Sequence, residues 1–249
     1  MKRATCRLSV FILAFLMWFI WSANKERLRL NAISRLSTGG WDIYFARSPA
    51  NVPWSRRLWI WMLPDVLPPD YLKEVEGIAL GGATEQQTLL VDCIKHIPSI
   101  QGVYVPNNLH LSANFFASLA TLPNLKRLNL DGSNVDDDML SSFSAASRIE
   151  SITMYIAVNV HGKSLERYKS LRELVASESG IDDKGISIIA LNCPISRMDV
   201  DGTNISREAL KHLEGMKSLQ ILSLPDRVFD DNPELAQFRQ KRPDVHISH

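Results

Sequence analysis

Several acidic residues are spaced as a cation site would need. Asp136-Asp137-Asp138 places three carboxylates side by side, and Asp199-Val200-Asp201-Gly202 opens like a calcium-binding loop. A calcium loop of that kind places glycine at its sixth position and glutamate at its twelfth. Here glycine falls at the fourth position and the twelfth is not glutamate, so the match is accidental. The aspartate triplet reads better as a helix start, where carboxylates accept orphan amide hydrogen bonds and complement the helix dipole. The six histidines, His96, His110, His161, His212, His246 and His249, are scattered without ligand spacing. Zinc needs about four converging nitrogen or sulfur ligands, so no metal site is expected. Cys6, Cys93 and Cys193 form no disulfide framework. Cys93 and Cys193 read as small buried apolar residues.

GxGxxG, Walker-type, HExxH and G-x-S-x-G patterns do not occur in the sequence. The expectation is a chain that is not an enzyme, with no cofactor and no small-molecule substrate. Charge points the same way on nucleic acid. Residues 1–29 carry Lys2, Arg3, Arg7, Lys25, Arg27 and Arg29 against Glu26, while the remainder holds 22 basic and 26 acidic residues. Without a clustered basic face beyond the N-terminus, no nucleic-acid partner is expected.

What must position any functional side chain is a repeat. An apolar-x-x-apolar-x-apolar opening occurs seven times: Val75-Ile78-Leu80, Ile100-Val103-Val105, Leu125-Leu128-Leu130, Ile149-Ile152-Met154, Leu171-Leu174-Ala176, Ile195-Met198-Val200 and Leu219-Leu222-Leu224. The openings follow one another at 25, 25, 24, 22, 24 and 24 residues, a period that marks a solenoid. The alternating end of each opening predicts a strand whose second and third apolar residues point into the core. A polar turn and a further apolar residue follow (Val135, Ile181, Ile205, Phe229), then a helix-capping residue at Asp136, Asp182, Ser206 and Asp230. Helices are also expected within Thr84–Ile97 and Ser112–Leu122, and a final half-repeat strand at Pro243–Ile247. The repeat from Ile149 lacks both the turn and a clear cap.

The outward strand positions form one face. Just before each second apolar residue stand Gly77, Gly102, Arg127, Ser151, Glu173, Arg197 and Ile221, and just after it Ala79, Tyr104, Asn129, Thr153, Val175, Asp199 and Ser223. Glu173 and Arg197 are predicted cross-strand neighbours. Tyr104, Arg127, Arg197 and Asp199 are the candidate partner-binding residues, of types that anchor partners. A merely solvated strand face is the competing account of each.

At the N-terminus, Leu8 to Trp21 is an uncharged apolar run preceded by Lys2, Arg3 and Arg7. This is the layout of a signal sequence. Trp21 or Ile20 would occupy the third position before a cut, so an uncleaved signal-anchor over residues 1–23 is the reading, with a cleaved secretion signal as the alternative. The run falls short of the ~20 residues of a spanning helix, which Ser22, Ala23 and local bilayer thinning would make up. Three basic residues flank each side, and a signal-anchor would carry the repeat domain out of the cytoplasm as a single-pass membrane protein. Residues 24–71 are read as a juxtamembrane and capping segment. In it residues 24–36 have helical spacing, Trp41–Phe45 reads as a strand, and WSRRLWIWML at 54–63 is either a cap over the solenoid's first edge or a membrane-surface patch.

The region 72–249 resembles the leucine-rich repeat family, nearest to its helix-containing, ribonuclease-inhibitor-like and cysteine-containing types. Residues 181–206, IDDKGISIIALNCPISRMDVDGTNIS, carry the resemblance most closely, with Asn192-Cys193-Pro194 and Asp201-Gly202-Thr203 at the matching steps. The apolar N-terminal segment also resembles uncharacterised bacterial membrane-anchored members. The resemblance implies an α/β solenoid of about seven strand-helix repeats, preceded by a transmembrane or signal-anchor helix and a capping segment. The function expected is membrane-anchored, noncovalent interaction with a protein or polymer partner. The alternative is a structural envelope protein that self-associates without a discrete ligand.

Overall fold

The apolar openings become short strands that stack in chain order. In the computed structural model, which describes residues 2–45, 74–80, 86–105, 110–143, 145–229 and 233–248 (side chains from Leu13 onward, without Leu80 and Gln86), one sheet runs β1 to β9 in chain order. The strands are β1 (Trp41–Phe45), β2 (Val75–Leu80), β3 (Gly102–Tyr104), β4 (Arg127–Asn129), β5 (Ser151–Thr153), β6 (Glu173–Val175), β7 (Arg197–Asp199), β8 (Ile221–Ser223) and β9 (His246–Ser248). β1 is antiparallel to β2, and every later pair is parallel. β9 lies on the segment expected to close the array.

Constant register follows from the period. Gly77, Gly102, Arg127, Ser151, Glu173, Arg197 and Ile221 align in one row, and Ala79, Tyr104, Asn129, Thr153, Val175, Asp199 and Ser223 in the next. Between them Ile78, Val103, Leu128, Ile152, Leu174, Met198 and Leu222 point inward and are buried. Side chains of this size contribute about 1.5–3 kcal/mol each when withdrawn from water. Among the described residues the α-helices are the N-terminal α1 (Lys2–Thr38), α2 (Gln86–Ile94), α3 (Ala113–Leu119), α4 (Asp137–Ser142), α5 (Asp183–Asn192), α6 (Ala209–Glu214) and α7 (Pro233–Lys241). Asp136 and Asp182 cap α4 and α5 through Met139 N–H and Gly185 N–H, each at 2.8 Å. Ser206 does not cap α6, whose first residue is Ala209. Its hydroxyl instead donates to Asp183 at 2.6 Å and accepts from Glu208 N–H at 3.2 Å. Asp230 lies outside the described residues.

The repeat from Ile149 is short because it has no α-helix. A 3-10 turn, Lys163–Arg167, replaces it. Gly185 makes this possible, since a Cβ there would stand 2.1 Å from the His161 carbonyl oxygen.

The N-terminal region departs from expectation in two ways. First, the anchor and the helix after it are one helix, α1 (Lys2–Thr38). The stretch contains neither glycine nor proline, and the charged residues at 25–29 continue a helix well. It stops where Gly39 N–H bonds the Arg35 carbonyl at 2.9 Å and Gly40 takes φ +85°. Second, among the described residues no helix is long and apolar enough to cross a membrane. Ser22 and Arg29 are already buried, with Arg29 on Glu26 at 2.9 Å, so the helix is docked on the solenoid just after Trp21. The expected strand forms as β1, and with α1 it covers the first edge of the described solenoid. Ala32, Leu36 and Trp41 join the core, and Trp41 stacks on Phe115 at 6.4 Å. The tryptophan cluster at 54–63 lies outside the described residues.

Candidate functional site

The outward strand face is uneven, and its N-terminal end is the most shaped. Two glycines make it so. Tyr104 on β3 lays its ring along the sheet, where a Cβ on Gly77 or Gly102 would come within 3.2 or 3.3 Å of its Cε2. Gly102 also leaves open the path from Arg127 on β4 to β2. Arg127 Nη2 donates to Glu76 Oε1 at 2.8 Å, with both side chains about two-fifths exposed. The Glu76 hydrogen bond holds the guanidinium firmly protonated, against the opposing effect of partial burial.

β1 completes the site. Its alternation buries Trp41 and turns Asp42 and Tyr44 outward. Antiparallel pairing then sets Tyr44 opposite Gly77. Tyr44 meets Tyr104 edge to face at 5.8 Å and 65°. Tyr44, Phe45, Glu76, Gly77, Tyr104 and Arg127 line a hollow of about 410 Å³. Tyr44, Phe45 and Glu76 were not among the residues expected to bind. The alternation in WDIYF signalled an outward Tyr44, but no repeat spacing tied β1 to β2.

Arg197 and Asp199 stand elsewhere on the face. β7 is three strands from β4, about 14 Å at the ordinary strand spacing, so the four candidates make two groups. Arg197 pairs with Glu173 at 3.5 Å, the cross-strand pair expected from register. Glu173 also accepts from Ser151 Oγ at 3.0 Å. Asp199 accepts from Ser177 Oγ at 2.8 Å and from Asp201 N–H at 3.2 Å, so its carboxylate is engaged in holding its own turn.

Asp137 and the two described cysteines are engaged in the fold. Asp137 accepts from His161 N–H at 2.7 Å and from Ser164 N–H and Oγ at 3.0 and 2.6 Å, tying one repeat to the next. Cys93 and Cys193 are buried free thiols, and burial pushes Cys193 up to about 11. Among the described residues no three histidine, cysteine or acidic side chains are grouped to hold a metal ion.

No family model matches the chain, and no curated protein matches it. Among solved structures, the yeast Rad7–Elc1 complex is similar over 97% of this chain and 72% of that chain, at 14% identity and a TM-score of 0.48. Internalin C2 from Listeria monocytogenes is similar over 72% of this chain and 81% of that one, at 13% identity and a TM-score of 0.39. A leucine-rich repeat protein of Leptospira interrogans is similar over 74% of this chain and 51% of that one, at 16% identity and a TM-score of 0.39. The solved neighbours are mostly leucine-rich repeat proteins.

Proposed function

We propose that the chain is a noncovalent binding module for a protein partner, held at a membrane by the apolar first half of α1. One observation carries the binding reading: two tyrosines and an arginine converge on a hollow at the N-terminal end of the strand face. Tyrosine and arginine are the residue types that dominate binding energy at protein interfaces. Here the rings are fixed by glycines beneath them and the guanidinium by Glu76, so little side-chain freedom is lost on docking. The reading involves no catalytic step and no cofactor.

The membrane part rests on Leu13, Phe15, Leu16, Met17, Ile20 and Trp21, all exposed on α1 ahead of the docked portion. Bare apolar side chains in such number need a lipid or protein cover.

A photo-reactive side chain in place of Tyr104 in the full chain, activated in cells, tests the binding reading. The expected result is one discrete adduct with a second protein, lost in the Arg127→Ala background. Adducts of the chain with itself alone would favour the self-association alternative, and no adduct would overturn the reading. A reporter fused after His249, with and without residues 1–23, tests the membrane part. Membrane association unchanged by removing residues 1–23 would overturn it.

A further inference from the structure

Where the strands end, four consecutive repeats turn through the same backbone step. The residue seven places after the repeat start has φ +59° at Gly132, +59° at Ile156, +56° at Glu178 and +66° at Gly202. The step is imposed by stacking, because its N–H reaches the neighbouring turn: Gly132 to the Tyr155 carbonyl, Ile156 to Ser177 and Glu178 to Asp201. Glycine suits this conformation, and a β-branched residue is the least suited to it. Ile156 nevertheless occupies it, 44% exposed, between Tyr155 at 37% and Val158 at 59%. The same places hold Asp131 and Gly132 in the preceding repeat, Ser177 and Glu178 in the following one, and Asp201 and Gly202 in the one after. Three exposed apolar side chains therefore replace polar turn residues at a position where one of them strains the backbone, and strain kept at a surface marks a use for the side chain.

The surroundings say what kind of cover fits. Residues 131–138, 177–183 and 199–202 together contain nine carboxylates, Asp131, Asp136, Asp137, Asp138, Glu178, Asp182, Asp183, Asp199 and Asp201, and no lysine or arginine. Two touch the patch itself. Tyr155 O–H donates to Glu178 at 2.5 Å, and Tyr155 N–H to Asp131 at 2.8 Å. On the other flank Gly180 lies under Val158 and His161, where a Cβ would be 2.3 Å from the Val158 carbonyl.

Resting on the reading of this chain as a protein-binding module, we infer that Tyr155, Ile156 and Val158 form a second docking surface, for a basic protein segment that presents an apolar side chain between lysines or arginines. The apolar side chain covers the bare patch, and its cationic neighbours meet Asp131, Glu178 and Asp201. Such contacts are salt-sensitive, because the carboxylates are solvent-facing.

The test uses the full chain in nanodiscs of uncharged lipid, with empty discs subtracted. The probe is a fluorescein-labelled peptide holding one phenylalanine between two lysines on each side, followed by anisotropy. Ile156→Gly with Val158→Asn is expected to weaken binding at least tenfold. Its thermal midpoint should hold or rise, since glycine relieves the backbone. Tyr104→Ala with Arg127→Ala should stay within twofold of the unsubstituted chain, and a peptide with glutamate for lysine should not bind. Unchanged affinity in the Ile156/Val158 variant, or equal binding of the glutamate peptide, overturns the inference. Loss of binding in the Tyr104/Arg127 variant alone overturns it too, while supporting the docking site at the strand face. No binding of the lysine peptide at millimolar concentration overturns this inference, and cross-linking at Tyr104 still decides the other.

Discussion

Arg127 on β4 donates to Glu76 on β2 across the bare backbone of Gly102, 2.8 Å from nitrogen to oxygen. An exposed pair of this kind contributes about 0–1 kcal/mol to stability, so its importance lies in where it holds the guanidinium. A Cβ on Gly102 would stand 3.4 Å from Arg127 Nε and 3.3 Å from the Tyr104 hydroxyl. Gly102→Ala should therefore be tolerated, and Gly102→Val should displace both side chains. Because valine favours strands, the stability change for Gly102→Val should stay within about 1 kcal/mol. Cross-linking from position 104 should nevertheless fall several-fold. Denaturant unfolding and adduct yield, measured on the same variants, check the two halves.

The aspartate triplet separates three roles in adjacent residues. Asp136 caps α4, and Asp136→Ala should cost about 1 kcal/mol. Asp137 accepts from His161 N–H and twice from buried Ser164 in the next repeat. Asp137→Ala leaves those donors unpaired and should cost about 2–3 kcal/mol. Asp138 is exposed, and Asp138→Ala should stay within about 0.5 kcal/mol. Urea midpoints of the three variants give the order. The midpoints should not move with calcium or a chelator, and a calcium-dependent shift would restore the cation reading of the triplet.

What the sequence could disclose was whatever repeats. Ile78, Val103, Leu128, Ile152, Leu174, Met198 and Leu222 recur at nearly fixed spacing, and that spacing alone sets the sheet order and the alignment of Tyr104 and Arg127 on neighbouring strands. The unreadable parts are those that occur once. β1 pairs with β2 across some thirty residues without a periodic signal, so Tyr44 could not be brought to Tyr104. The residues after Ala23 looked like a boundary because charge begins there, yet charge does not stop a helix. Ser206 stands in sequence where Asp136 and Asp182 stand, but Asp183 takes its hydroxyl and α6 starts three residues later. At Ile156 the positive φ is hidden, since the residue type that usually announces it is missing.

Cys193 links stability to alkaline pH. Burial, only partly offset by Lys169, raises its folded pKa to about 11, while an unfolded thiol titrates near 8.5. The unfolded state therefore loses its proton first. The thiol's contribution is complete below about pH 8.5 and is lost as pH rises toward about 11, with a slope of up to about 1.4 kcal/mol per pH unit. Tyr168, buried with its hydroxyl on the Leu140 carbonyl at 3.1 Å, is pushed upward too and adds its own loss above about pH 10. Stability measured between pH 8 and 10 should fall in the unsubstituted chain and be flatter in Cys193→Ala. Parallel slopes would mean that the thiol meets water in the folded state.

Arg242 should be the costliest single arginine to remove from the C-terminal repeat. Its guanidinium donates to the Met216 carbonyl at 2.8 Å, Leu219 at 2.9 Å and Glu214 at 3.3 Å, gathering the chain end of α6 against the turn before β9. Asp244 braces it through Nε and Nη2 at 2.9 and 2.8 Å. Arg148 makes the same kind of contact in an earlier repeat, donating to the Ala120 and Leu122 carbonyls at 3.1 Å. Arg242→Ala strips three carbonyls at once and should cost about 2 kcal/mol. Arg242→Lys should recover less than half, because an ammonium lacks the planar fork that reaches several acceptors. The arginine's hydrogen bond also holds Asp244 below the usual carboxylate range. A carboxylate depressed in the folded state stabilises above its unfolded pKa, near 3.9, and loses that contribution as pH falls through the folded value. The unsubstituted chain should therefore lose stability below about pH 4 through this residue. Arg242→Ala, already without the contribution, should show a shallower acid limb in the same urea titrations, and an equally steep limb would place the acid sensitivity elsewhere.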